Sequence, residues 1–444
     1  MWRGGSPPRP HSSNAGEKMT STTTDQIGAS GDGIMRAADG TPLKRSLARA
    51  LRREKLRSFL LILPLLAFIT LTFLMPIADM LFRSVENGIV QETIPRTVVA
   101  LKDWDASSGE LPSEEVFAAF QQDFTEAFKN KTHTRLGLRL NYDEPGMSGL
   151  FRKSGRKATQ LEPPYREGFI DIDQDWGKLE TWRVIKRASP SLTDGYFLAA
   201  VDAERTSDGL QMKPEKERIY LYLFWRTMFL SIVITVSCLL LGYPIAYLLA
   251  NLPLRTSNLL MILVLLPFWT SLLVRTSAWK VLLQQQGVVN DTLVWLGIID
   301  TTSRLELINN QTGTIIAMTH ILLPFMILPL FSVMKTISPS YVRAAKSLGA
   351  NDWTAFWRVY FPQTVPGIGA GAILVFILSI GYYITPELVG GTSGIFISNR
   401  IAYHISTSLN WGLAAALGTI LLGLVLLLFY VYDKIVGIDN VKLG

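Results

Sequence analysis

Cysteine is almost missing from this sequence: of 444 residues only Cys238 carries a thiol. A single thiol closes no disulfide within the chain and supplies no cysteine-based zinc site, so both frameworks are excluded. Also missing is any G-x-x-x-x-G-K-[ST] stretch, the loop whose backbone N–H groups cradle nucleotide phosphates. No set of residues reads as catalytic or metal-ligating, and the chain is not expected to be an enzyme. Charge is sparse, and the mean hydropathy is +0.25 where a soluble enzyme of this size would score below zero. The apolar residues are clustered and not periodic, which points to the membrane class. The formal charge of +7 could suggest nucleic acid, but its distribution favours cytoplasmic loops of a membrane protein, with no nucleic-acid partner.

Residues 1–42 are rich in Ser, Thr, Gly and Pro and have no apolar period. They cannot bury enough surface to offset ordering entropy, so a disordered cytoplasmic tail is expected there. The segment 43–83 follows as a basic flank and first span. Seven basic residues between Lys44 and Arg57 lead into the apolar run Phe59–Phe82. A signal peptide would have a shorter core. This run reaches the ~20 residues that a spanning helix needs, and the basic flank holds its N-terminus in the cytoplasm. Five further apolar runs are read at Ile219–Ala250, Leu259–Leu283, Thr314–Met334, Gly367–Leu388 and Trp411–Tyr432. They make a five-helix transmembrane core over 219–434, with a cytoplasmic tail at 435–444. Six spans return the C-terminus to the cytoplasm. Arg255, the 335–358 loop and Lys434/Lys442 then lie inside, while the loops 284–313 and 389–410 lie outside.

Between the first two spans lies a polar segment, 84–218, long enough for a domain of its own and placed outside the membrane. Pro112, Ser113 as N-cap and Glu114/Glu115 start a helix, with Val116, Phe117, Phe120, Phe124 and Phe128 on one face. The stretches "WRVIKRA" and "GYFLAAVDA" read as short strands, giving an α+β insertion.

The cytoplasmic loop 336–362 is amphipathic and ordered by its own signals. Ser338-Pro339 starts a helix, Tyr341, Ala344, Ala345 and Leu348 share one side, and Gly349 ends it in a left-handed turn. A second short helix over Trp353–Tyr360 stops at Phe361-Pro362, which makes a helix–turn–helix whose small-residue face suits a partner's groove. An amphipathic linker lying on lipid is the alternative.

The spacing Ala344-Ala345, three residues, Gly349, nine residues, then Val359-x-Phe361-Pro362 resembles the "EAA" loop of membrane subunits of ABC importers. Arg343 stands where that family has Glu, so any salt bridge of that Glu is lost or reversed and an acidic group on the partner is expected. Stretches at 227–253 and 265–290, "YYITPELVGG" (382–391) and "NWGLAAALG" (410–418) are similar to spermidine/putrescine-type permeases. The resemblance covers about 45–83 and 219–440, not 84–218. It implies an all-α membrane protein with the six-span type I permease fold and a large extracytoplasmic insertion. It also implies a bacterial inner-membrane location, two ATP-binding subunits that carry ATP and Mg, a second homologous permease and a periplasmic solute-binding protein. No cofactor is expected in this chain itself.

A solute path needs polar or aromatic groups facing the bundle interior. Trp269, Thr270 and Ser271 in the third span, and Tyr382, Tyr383, Thr385 and Glu387 around the fifth, are the candidates. Aromatic faces and a carboxylate suit a polyamine or a related amine. Packing or interfacial roles for Trp269 and Tyr382, and plain solvation of Glu387, are the alternatives. Many polyamine-type members carry Asp at the position of Tyr382. Arg275 and Lys280 are expected to snorkel to the interface, and His320 to pack. Two rival classes stand: an ion-coupled secondary transporter, which would show more buried ionisable residues at mid-bilayer, and a membrane receptor with an outer sensing domain, which leaves five spans and the 338–362 loop unexplained.

Overall fold

The structure, a computed structural model, describes residues 43–206 and 209–436. The tail expected at 1–42 and the end of the tail expected at 435–444 lie outside the described residues. Two compact units divide at Pro76/Ile77. In the first, the basic flank and the apolar run form one helix, Leu43–Ile69, followed by a π-helical turn at Thr70–Leu74. There the Thr72 hydroxyl donates to the Phe68 carbonyl at 2.7 Å, the kind of back-bond that accompanies a locally widened helix. The stretch Leu51–Arg83 is long and apolar enough to span a membrane.

In the second unit, residues 84–218 build their own core. The helix Glu114–Lys129 forms as its period predicts, with Val116, Phe117, Phe120 and Phe124 buried. These pack with Phe151, Phe169, Trp176 and Trp182 in a cluster of edge-on and tilted rings. Ser113 holds the cap position in extended geometry without a cap bond. Glu114 instead accepts from the Tyr165 and Arg166 N–H groups and caps the helix Tyr165–Ile172.

The two stretches expected as strands are helices, Leu179–Arg187 and Gly195–Ala200. In the first, Trp182 and Ile185 lie three apart and both face the core, while Arg183, Lys186 and Arg187 face outward, so a helical period overrides the apparent alternation. The only strands among the described residues are the antiparallel pair Ala203–Thr206 and Gly209–Met212. The insertion is thus nearly all α. Its last turns join the spans: Asp202 accepts from the Ile219 and Leu221 N–H groups and caps the second span.

The second span is Tyr220–Asn251, the fourth Gln311–Thr336 and the sixth Trp411–Lys434. Spans two, four and five share one core around Cys238, Met318, Ile321, Met326 and Leu330. Gly371 allows the closest approach: a Cβ there would sit 2.8 Å from the Met326 sulfur and 3.2 Å from its carbonyl oxygen.

Two spans differ from expectation. The third is not one helix over Leu259–Leu283. Leu254–Trp269 and Leu272–Leu282 meet at 95°. Pro267 opens a tight 3-10 turn, and Thr270 and Ser271 are extended, so the i→i−4 ladder cannot continue. The fifth runs Asp352–Gly381 and not Gly367–Leu388; it stops at Tyr382, and a separate short helix, Ile384–Val389, follows. The segment over Trp353–Tyr360 is therefore the start of the fifth span, joined to it through a π-helical turn at Phe356–Tyr360. Pro362 continues that helix because it falls in the first turn after the π segment.

The core therefore has two distinct ends. At one, Lys335 Nζ donates to the Ala250 carbonyl at 3.2 Å and the Ser257 hydroxyl donates to the Leu249 carbonyl at 2.8 Å. Both satisfy carbonyls that the end of a helix leaves free. The other end carries the insertion and the residues around 276–310 and 382–411.

Candidate functional site

The loop between the fourth and fifth spans begins with a capped helix, Pro339–Ser347, in which Ser338 accepts from the Ser340 N–H. It ends in a Schellman turn. Gly349 has φ +93°, its N–H donates to the Lys346 carbonyl, and the Ala350 N–H reaches back to the Ala345 carbonyl at 3.1 Å. Asn351 then caps the next helix by accepting from the Thr354 N–H at 2.8 Å, and Lys346 pairs with Asp352 across the turn.

The loop is held to the bundle by its inner side only. Val342, Ile337 and Phe356 pack on the core, and Phe356 and Tyr360 meet Tyr247 edge-on. Of the residues expected on one face, Tyr341, Ala344 and Leu348 are exposed, Leu348 at 89%, while Ala345 is half-buried. Arg343 and Gly349 are exposed, Val359 and Phe361 are half-buried, and Pro362 is exposed. Trp353 and Trp357 extend the exposed face. An ordered protrusion with Tyr, Trp, Leu and Arg outward has the composition of a protein-docking surface.

The pathway candidates gather at the other end, at the two broken spans. Thr276 and Thr385 share a buried hydrogen bond of 3.0 Å, which fixes Leu272–Leu282 against Ile384–Val389. Asn399 donates to the Tyr383 carbonyl at 2.9 Å and to Glu387 Oε2 at 2.6 Å, and Ser398 donates to the Tyr382 carbonyl at 2.8 Å. Glu387 and Tyr383 remain exposed and Tyr382 is half-buried. Thr385 is buried and bonded, so it positions the break and lines no open path. Trp269, at 76% exposure, and the exposed Thr270 and Ser271 do not face this chain's interior as expected. The 3-10 turn at Leu266–Trp269 rotates them out.

Arg275 is half-buried, and its Nε and Nη1 are buried without partners among the described residues. It lies within electrostatic reach of His320 and Tyr382, and His320 Nδ1 accepts from Trp279 Nε1 at 3.1 Å. The periodicity of the third span gave no sign of this cluster, because the break at Thr270–Ser271 decides which way the second half-helix points. Outside the spans, His404 is held neutral: burial and then the charge of Arg400 push its pKa down to about 4. Its ring nitrogens meet the Tyr220 hydroxyl at 2.9 Å and the Ser408 hydroxyl at 2.8 Å.

Residues 222–436 match the family described as binding-protein-dependent transport system inner membrane component. The spermidine/putrescine transport system permease protein PotB of Salmonella typhimurium is 36% identical over 215 residues, which cover 48% of this chain and 74% of that protein. The chain belongs to this family. The permease is likewise 36% identical over 222 residues to the protein of the same description from Haemophilus influenzae, covering 49% of this chain and 77% of that one. Among solved structures, a bacterial ABC transporter involved in the import of the acidic polysaccharide alginate matches at 20% identity and a TM-score of 0.40, over 52% of this chain and 81% of that one. As a multi-pass permease subunit of an ABC importer, this chain carries its family match on the five C-terminal spans. The segment 84–218 lies outside the match.

Proposed function

We propose that this permease passes a polyamine or a related amine from a periplasmic binding protein across the bacterial inner membrane, driven by two separate ATP-binding subunits. ATP and Mg reside on those subunits, and a second homologous permease completes the path. The exposed outer face of the Pro339–Ser347 helix carries this reading. It is ordered on its inner side and bare on its outer side, at the end of the bundle away from the insertion. Arg343 stands on that bare face, so the matching groove on the ATPase is expected to present an acidic group. N- and C-termini are cytoplasmic in this arrangement and the insertion is periplasmic.

The substrate class is supported by the identity to the two spermidine/putrescine permeases and by Tyr383 and Glu387 at the broken fifth span. An aromatic face contributes about 0.5–2 kcal/mol to holding an ammonium group, and a carboxylate adds selectivity. The test is uptake of labelled spermidine and putrescine into proteoliposomes holding the complete transporter. ATP-dependent uptake that needs the binding protein is the expected result. Uptake by this chain alone, or ATP-dependent uptake that excludes both amines, would overturn the reading.

A further inference from the structure

A cleft of about 640 Å³ lies where the insertion meets the start of the sixth span. Asn410 is one of its walls. The Asn410 side-chain oxygen accepts from the Leu413 N–H at 3.1 Å and its carbonyl accepts from the Ala414 N–H at 3.0 Å, so both oxygens are spent on capping the helix. Its amide nitrogen has no partner among the described residues, although the residue is only 6% exposed. A buried donor left unpaired is costly and favours a ligand that accepts from it. Trp411 and Gly412 line the same cleft. They open a 26-residue helix, so their N–H groups precede its first internal bond and sit at its positive end.

The facing wall is basic. Arg135 and Arg152 are exposed and have no ion-pair partner among the described residues. Arg139 stands behind them, bonded to Asn87 and Asp143 and stacked 4.8 Å from the Tyr196 ring. Arg83 also lines the cleft and pairs with Asp79, while Glu86 and Glu92 are its two acids. Arginine is in excess, and Asn410, with its unspent buried donor, lines the same cleft. This chemistry takes a phosphate.

We infer that the cleft binds the phosphate of an anionic phospholipid headgroup. The membrane is favoured over a free anion by what adjoins the donors. Trp411 is the first residue of an apolar span and is 45% exposed, and Leu138 and Leu409 beside it are exposed as well. An aromatic at the first turn of a span marks the bilayer–water boundary, and basic pockets at that level take headgroups.

The experiment uses the full chain in detergent, loaded with phosphatidylcholine or phosphatidylglycerol and read by native mass spectrometry and thermal midpoint. Phosphatidylglycerol is expected to be retained about tenfold more strongly, a difference of about 1.4 kcal/mol. Asn410→Asp keeps the helix cap and replaces the free donor with an acceptor; Arg135→Gln with Arg152→Gln removes the basic wall. Both should abolish the preference while leaving the midpoint in phosphatidylcholine unchanged. Equal retention of the two lipids by the wild type, or an undiminished preference in both variants, overturns the inference. Stabilisation by free glycerol phosphate with none by phosphatidylglycerol overturns the lipid assignment.

Discussion

Leu348 offers the sharpest test of the docking face. It is the most exposed large apolar side chain of the loop, at 89%, and it lies two turns from Tyr341 on the same helix face. Replacing Leu348 with Ala removes three carbons. At about 0.8 kcal/mol per buried methylene, full coverage by an ATPase groove makes this worth roughly 2 kcal/mol, or about 30-fold in Kd. Leu348 is the C-cap of its helix, but its capping bonds are made by the backbone N–H, which Ala keeps, so the chain itself should change by no more than about 0.5 kcal/mol. Binding of the isolated ATPase subunit to the permease in nanodiscs, by biolayer interferometry, reads the first quantity. The thermal midpoint of the permease alone reads the second. Tyr341→Ala should add to the loss nearly independently, since the residues sit about 10 Å apart along the helix. A Kd for Leu348→Ala within threefold of wild type, with an unchanged midpoint, would refute the assignment of this face to the ATPase.

Other expectations follow from single sites. Asp123 is buried and accepts from the Thr97 N–H at 2.7 Å, the Thr97 hydroxyl at 2.8 Å and Arg96 at 2.9 Å. Asp123→Ala strands the buried Thr97 donors and should cost about 3 kcal/mol by denaturant titration followed on the core tryptophans; a loss below 1 kcal/mol contradicts the network. His404 has a folded pKa of about 4 against an ordinary value near 6.5. The unfolded chain therefore binds the proton first, and stability present above pH 6.5 is lost as pH falls toward 4. Between pH 7 and 5 the loss should be about 2 kcal/mol, and His404→Gln should flatten the pH dependence of the thermal midpoint; an identical pH profile in that variant counts against it. Gly371→Val should cost about 1–3 kcal/mol by overpacking against Met326. Met326→Ala in the same chain should recover part of that loss; strict additivity of the two changes would mean they do not touch.

What could be read in the sequence was whatever a local rule dictates. Apolar run length placed the spans, Ser338-Pro339 and Gly349 bounded the loop helix, and the three-and-four spacing of Phe117, Phe120 and Phe124 fixed the buried face of Glu114–Lys129. What was missed depends on partners far along the chain. Hydropathy cannot tell a straight third span from one broken by 95° at Thr270–Ser271, because the run is long and apolar enough for a span only when its two halves are taken together. The bond from Thr276 to Thr385 crosses 109 positions, and Asn399 organises Tyr383 and Glu387 from a separate helix. The strand reading of 182–188 failed because Val184, Ile185 and Trp182 have high strand propensity, while the core they meet is reached from one helix face. Of the site residues, the loop set was legible as a surface; Trp269 and Thr385 were legible as residue types, but not that the first is exposed and the second buried.

The continuity of the fifth span changes how the loop must act. A separate second helix would let the loop move without the bundle. Asp352–Gly381 is instead one 30-residue rod, about 45 Å long, with its first turns in the docking loop and its last beside the broken third span. Tilting the loop therefore tilts the rod, and its far end carries Tyr382, tied to Ser398, and the short helix that Thr385 ties to Thr276. Along the way Gly371, having no side chain of its own, lets the rod lie against both the sulfur and the backbone of Met326 in the fourth span. Close-packed helices of this kind accommodate change by small sliding movements and not by bending. A path lined by Tyr383 and Glu387, as proposed, would then change at the hydrogen-bonded breaks at the far end when the rod shifts. On this view Gly371→Val should impair ATP-driven uptake more than it impairs ATPase docking, because it jams the rod and leaves the loop face intact. Equal losses in both assays would place the moving part elsewhere.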